Sequence, residues 1–400
     1  MIKEKITQMS NLLFLYESVE PTNQETFDLV KLASITGGFG LRKRACLDVR
    51  AEDIEWCDVV LSVRSTSDME WRLAKMAKSL GKYWILMLDD DFLSLGDDYG
   101  RDGQGYRNEL KHCLKRLLYF TDCLLTVNEL LAKKYASLGK IKKYVLSSAS
   151  FDSSNMTEPT AGNKKTKIVY YVNDGTETMF DLYLKPLLHI LCQKYSDQVA
   201  LYFLSIRPEM SEYEDKIETH YIPHMSLDEF WKYVANEHFD IGLAPLDEIG
   251  FSKYKYFNKY VEYTRAGIAG IYSDCALYRQ VVENGYNGVL CDNSTECWIR
   301  AISELIDNKD KRVMIAKNAQ RYAIEHFSKN KVIDKLLEDI PELTQYSAPK
   351  KKVSHLALKI IWIHYWGFRV RGWIHTIYCC IKTGNIKALI RRAKEKFQKG

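Results

Sequence analysis

Apolar runs of strand length alternate with amphipathic segments of helical length, and the alternation occurs twice along the chain. "NLLFLY" (11–16), "VVLSVR" (59–64), "YWILMLDD" (83–90), "CLLTVN" (123–128) and "YVLSS" (144–148) alternate with helical stretches such as "DMEWRLAKMAKSLG" and "YRNELKHCLKRLLYF". A strand that is apolar along its whole length needs cover on both faces, which a parallel sheet between two helix layers provides. Residues 151–166, "FDSSNMTEPTAGNKKT", are polar and rich in turn formers, so they read as a linker. The pattern restarts with "KIVYYVN" (167–173), "ALYFLSI" (200–206), "FDIGLAPL" (239–246) and "GVLCD" (288–292). The expected fold is α/β, with two doubly wound, Rossmann-like domains facing a cleft. The first domain covers 1–150 and the second 167–345. Ligands of such sheets bind beyond the C-terminal ends of the strands.

Length and composition agree with two domains. The chain has 400 residues, 46% of them hydrophobic, enough for real cores and unlike a disordered segment. Ten cysteines show no CxxC spacing, which reads as reduced, buried thiols in a cytosolic protein. The net charge of +5 is unevenly placed. Residues 350–400 hold 13 Lys and Arg against one Glu, so this tail is strongly basic and the body is acidic. That distribution argues against a nucleic-acid binder and for a tail that meets an anionic membrane surface. In the tail, "NIKALIRRAKEKF" places Ile386, Ile390, Ala393 and Phe397 on one helical stripe. A basic amphipathic helix of this kind lies in the membrane plane. The expected location is therefore cytoplasmic and peripheral, at the inner face of the cell membrane.

The stretch "YFNKYVEYTRAGIAGIY" (256–272) opens like a helix and ends like a buried strand. Lys255, Lys259 and Glu262 are spaced to share one helical face, with Tyr256, Tyr260 and Tyr263 as a second stripe beside them. Spacing alone is also satisfied by an inert exposed ion pair. Its setting suggests more. The stretch follows the apolar strand "FDIGLAPL" and the loop "DEIGFSKY", so the helix N-terminus is expected at the ligand end of the sheet. Such an end favours a phosphate, and Lys255 in the first turn would add fixed positive charge. Glu262 would repel a phosphate but can accept hydrogen bonds from a ribose diol. Phosphate and diol together describe a nucleoside diphosphate.

From "FDIGLAPL" through "NGVLCD" to the Trp-containing helix "ECWIRAISELI", the chain resembles the donor half of GT-B fold glycosyltransferases. The nearest likeness is to the large retaining group, many of whose members build bacterial surface polysaccharides. Lys259-x2-Glu262-Tyr263 matches one form of the group's helix motif. The first Glu of its Glu-x7-Glu form falls on Tyr254, and the usual Pro of the following turn is Ala269. The resemblance implies a metal-independent, retaining transfer from a nucleotide-diphosphate sugar, with no cofactor. The acceptor would be a hydroxyl of a growing glycan, often linked to a polyprenyl diphosphate. Glu262 would hold the donor ribose, Lys255 or Lys259 would approach the diphosphate, and the backbone of Gly250, Phe251 and Ser252 would face the sugar. Glu248 could replace the missing Glu.

Other donor-side candidates come from the residues themselves. Asn173, Gly175 and Thr176 begin a helical segment and could supply N–H and hydroxyl donors. Arg207 closes the strand "ALYFLSI" and could bind phosphate or be a solvated loop arginine. His224 lies at a strand end beside "YIP", where a base-binding edge is expected and a metal site is not. In the first half, "LDDD" (88–91) ends an apolar strand, as a metal-holding DxD motif does. Asp89 and Asp90 are read instead as acceptor-side or capping groups, with Arg64 on the same rim. Lys255, Glu262 and Asp89 are the candidate catalytic residues. A catalytically silent GT-B scaffold, a metal-dependent transferase using Asp89–Asp91, and a sugar-nucleotide epimerase remain as alternatives. "TGGFG" (36–40) follows a helix rather than a strand, so it reads as a helix stop.

Overall fold

A computed structural model describes residues 9–382 apart from 19, 95–103, 140, 149, 161 and 172–176. Two compact units divide the described residues. One runs up to Ser147 and resumes at Ile333; the other is Ser148–Val332.

The first unit is built on β1 (Asn11–Tyr16), β2 (Gly40–Ala45), β3 (Val59–Val63), β4 (Tyr83–Leu88), β5 (Cys123–Thr126) and β6 (Lys143–Leu146). They pair in the order β2-β1-β3-β4-β5-β6, every pair parallel. β1, β3, β4 and β5 are buried almost throughout, as two-faced burial requires. β2, "GLRKRA", is the strand that an apolar pattern misses. It is an edge strand whose cations are placed on neighbours. Arg42 and Arg44 pair with Asp53 at 3.4 and 3.1 Å, and Lys43 sits 4.2 Å over the Phe27 ring. Gly38, at φ +72, ends the helix before it.

The second unit contains β7 (Thr166–Tyr171), β8 (Val199–Ser205), β9 (Glu218–Pro223), β10 (Ile241–Ala244), β11 (Ala269–Ser273) and β12 (Val289–Cys291). Its order, β12-β11-β10-β7-β8-β9, is again all parallel. This is the dinucleotide-fold order, with a switch point between β7 and β10. Phe180, Leu201, Phe203, Ile241, Ile271 and Trp298 are among the side chains filling its core.

After Ile333 the chain is held to the first sheet at the N-terminal ends of its strands. The Asp58 carboxylate accepts from the backbone of Asn11 (3.0 Å) and Ala348 (3.0 Å) and from Lys350 (2.9 Å). Lys143 pairs with Glu342 at 2.6 Å, and the Tyr346 hydroxyl donates to the Gly81 carbonyl at 2.8 Å. The last described element is a 28-residue helix, His355–Lys382. The expected stripe at 386–397 lies outside the described residues.

Gly267 ends the helix Asn258–Arg265 at φ +69, and a Cβ there would lie 2.4 Å from the Thr157 carbonyl oxygen. Left-handed backbone and a backbone clash act together at this position. Gly267→Ala should cost about 1–3 kcal/mol. Urea unfolding should show a lower midpoint with an unchanged slope.

Candidate functional site

Parallel pairing of β10 and β11 requires the helix between them, Asn258–Arg265, to run against both strands. Its N-terminus therefore lies at their C-terminal ends, beside the β7/β10 switch point. No side chain caps this N-terminus; the Tyr260 N–H bonds the Phe257 carbonyl at 3.0 Å, and the N–H groups before it in the first turn have no helical carbonyl to meet.

Helix Asn258–Arg265 presents two different faces. Tyr260 and Tyr263 are fully buried. The Tyr263 hydroxyl donates to the Leu243 carbonyl at 2.6 Å, and the Tyr260 hydroxyl accepts from Asn287 at 3.1 Å. The tyrosine stripe thus fixes the helix against the sheet. Lys259 and Glu262 stay partly exposed and form an ion pair at 2.7 Å. Lys259 also lies 4.4 Å over the ring of Tyr171, the last residue of β7. Burial together with the Glu262 charge pushes the Tyr171 phenol well above its ordinary value. Its buried hydroxyl has no hydrogen-bond partner among the described residues. Tyr171 carries no motif; only the strand order brings it here.

Lys255 is a correction to the helical spacing. Gly250–Tyr254 forms a 3₁₀ turn and Lys255 follows it in extended backbone (φ −68, ψ 164), so Lys255 precedes the helix instead of sharing its first turn. Adjacent Tyr256 and Phe257, between the 3₁₀ turn and the helix, are both buried, with ring centroids 3.9 Å apart. Lys255 extends over the Phe251 ring at 5.6 Å. Gly250 has φ +52 and Ser252 is buried.

The strand ends here are cross-linked by side chains. Ser273, ending β11, accepts from the Leu246 N–H at 2.7 Å and donates to Asn293 at 2.6 Å; Asn293 in turn donates to the Leu246 carbonyl at 2.9 Å. Glu248 accepts from the Ala276 N–H at 2.8 Å, joining the loop after β10 to the loop after β11. Arg207 lies at the β8 end, paired with both oxygens of Glu214 at 2.6 and 2.7 Å and stacked 4.3 Å over Tyr221. His224 is exposed just past the edge strand β9, two strands from β7. Asn173, Gly175 and Thr176 lie outside the described residues.

At the corresponding end of the first sheet, Arg64 is the hub. It follows β3 at φ +52, an unusual backbone for a non-glycine residue. Its guanidinium reaches Glu20 (2.9 Å), Asp89 (3.1 Å) and Asp90 (3.0 Å), and Asp89 accepts from Thr22 at 3.1 Å. Asp91 turns elsewhere, to Lys134 at 2.5 Å and the Tyr135 hydroxyl at 3.1 Å. The three aspartates of "LDDD" therefore do not converge, and no group of three or more His, Cys, Asp and Glu among the described residues could hold a metal ion. Desolvation raises Asp89 above the usual carboxylate range despite Arg64.

Glu17, just after β1, was not anticipated, because nothing in its local sequence marks it. Burial and the neighbouring Glu70 push it up to about 8. Arg369 of the terminal helix opposes that rise. Glu70, unlike the half-buried Glu17, is fully buried, accepting from the Ser67 backbone N–H at 3.1 Å and from the Ser67 hydroxyl.

With this geometry in view, the comparisons are decisive for the fold. HepE of Anabaena, solved with UDP and glucose, superposes with a TM-score of 0.56 over 84% of this chain and 100% of that one, at 12% identity. The chain has the GT-B glycosyltransferase fold. A sucrose-phosphate synthase from Thermosynechococcus elongatus matches this GT-B chain with a TM-score of 0.56, covering 83% of it and 99% of the synthase at 12% identity. A glycosyltransferase from Rickettsia africae matches at 0.55, covering 84% and 99% at 13% identity. No family model matches the sequence, and no curated protein does.

Glu17 gives the GT-B chain a pH dependence. Its folded value lies above the ordinary one of 4.5, so its neutral form favours the folded state and stability falls as pH rises from about 4.5 to about 8. Glu17→Gln should flatten that decline. Thermal unfolding at pH 5 and at pH 8.5 checks it, with the variant gaining on the wild type only at the higher pH.

Proposed function

We propose that this GT-B chain is a metal-independent, retaining glycosyltransferase. It would move a sugar from a nucleoside-diphosphate sugar to a hydroxyl of a growing, lipid-linked surface glycan at the cytoplasmic membrane face. The observation that carries the reading is the Lys259–Glu262 pair beside an uncapped helix N-terminus at the β7/β10 switch point. In the free protein the ammonium neutralises the carboxylate. A bound donor would draw Lys259 to its diphosphate and leave Glu262 to accept from the ribose diol.

The other roles follow from position. Lys255 and the backbone of Gly250–Ser252 would serve the diphosphate and the donor sugar, where charge develops as the bond to the leaving group breaks. Glu248, Arg207 and His224 border this end of the sheet, and Arg207 would have to leave Glu214 to join. Arg64, Asp89 and Asp90 form the acceptor-side group, and Asp89 is the candidate for contact with the reacting hydroxyl. HepE was solved with UDP-glucose, which makes UDP-sugars the first donors to try.

A hydrogen bond to a charged group is worth about 1.5–3 kcal/mol. Glu262→Ala should therefore weaken UDP binding roughly ten- to a hundred-fold while leaving the unfolding temperature nearly unchanged. Titration calorimetry measures this, and wild-type affinity in the variant would return the pair to an inert surface contact. Transfer from a UDP-sugar should also persist in EDTA. Activity lost in EDTA and restored by manganese would overturn the metal-independent mechanism.

A further inference from the structure

The terminal helix His355–Lys382 is apolar on two opposite faces. Ile361, Tyr365 and Phe368 are buried on one of them. Leu356, Ile360, Ile363, Val370, Ile374 and Ile381 recur at three- and four-residue steps or their multiples on the other. They stay exposed, Ile363 at 69% and Ile381 at 65%. A helix apolar on both sides is normally covered on both sides, and an exposed apolar strip of this length marks an interaction surface.

Charge and composition select the occupant. Between Lys350 and Lys382 there are seven Lys and Arg and no Asp or Glu. Lys359, Arg371 and Lys382 lie along or beside the strip. Trp366 and Trp373, each about half exposed, border it as indoles do at a water–lipid boundary. Among the described residues, no helix is long and apolar enough to cross a membrane. A cationic helix of this kind, already seated on a folded unit by its inner face, suits the plane of an anionic leaflet.

We infer that the outer face of helix His355–Lys382 is a docking surface for an anionic lipid bilayer and holds the acceptor-side end of the first sheet at the leaflet. The second half of this inference rests on the glycosyltransferase reading. The helix is bonded to that end of the sheet, where Trp362 donates to the Leu47 carbonyl, just after β2, at 3.2 Å, and the Arg369 charge is felt by Glu17, just after β1. The same end carries Arg64, Asp89 and Asp90. A lipid-embedded acceptor would thus reach the polar cluster without leaving the bilayer.

Flotation of the full chain with phosphatidylglycerol–phosphatidylcholine vesicles at low salt tests the surface. The wild type should float, less so with phosphatidylcholine alone. Ile363→Glu/Ile374→Glu, at exposed positions, should reduce flotation about tenfold or more while keeping the wild-type circular dichroism and UDP-induced thermal shift. Trp emission of the wild type should shift to the blue when anionic vesicles are added, a readout that needs no variant. Wild-type protein left in the soluble fraction with unshifted emission would overturn the inference. So would a double variant that floats as well as the wild type, or a wild-type dimer that the substitutions make monomeric without either protein floating. If vesicles bind but UDP gives no thermal shift, the lipid surface stands and the glycosyltransferase reading fails.

Discussion

Parallel pairing throughout both sheets is the constraint on which everything else rests. Each strand-to-strand connection must return to the same edge, so every loop that leaves a strand does so at one end of its sheet. In the first unit this gathers Glu17, Arg64, Asp89 and Asp90 from three strands. In the second it gathers Tyr171, the loop after β10, and the start of helix Asn258–Arg265. The order of strands, more than any single motif, decides which residues become neighbours.

Burial then separates structural from available groups on one short helix. Tyr260 and Tyr263 pass their hydroxyls to Asn287 and the Leu243 carbonyl, which satisfies polar atoms that the core could not otherwise hold. With the helix fixed by these tyrosines, Lys259 and Glu262 face outward at a set place. Their ion pair contributes little to stability when partly solvated, so its partners can be exchanged for those of a ligand. Arg64 differs, because it already meets three carboxylates and has a costly backbone conformation. Such a hub holds its carboxylates in one geometry at the expense of local strain.

The acids and bases at the two sheet ends are therefore set up in opposite ways. Around Arg64, one cation serves several carboxylates, one of which is raised by burial. Around Lys259, one cation serves one carboxylate and an aromatic face, with the Tyr171 hydroxyl, unpartnered among the described residues, beside them. The terminal helix adds a third element to the first cluster, since Arg369 partly offsets the burial of Glu17.

The sequence by itself determined two parallel-sheet α/β units and nearly all their strands, because continuous apolar runs can be buried only that way. It also marked Lys259, Glu262 and the Arg64–Asp89–Asp90 rim, since these polar residues sit directly after, or within a helix after, an apolar strand. It could not show β2, whose cations offset an edge position through Asp53 and Phe27 and so leave no apolar pattern. Nor could it show that Lys255 leaves the helix, because the spacing of Lys255, Lys259 and Glu262 fits a helical face equally well when the helix starts only at Asn258. Tyr171 and Glu17 became visible only with the strand order, which joins residues far apart in the chain. Tertiary contacts also return the segment after Ile333 to the first unit. There Asp58 captures Ala348 and Lys350, and a helix with two apolar faces covers one and leaves the other exposed.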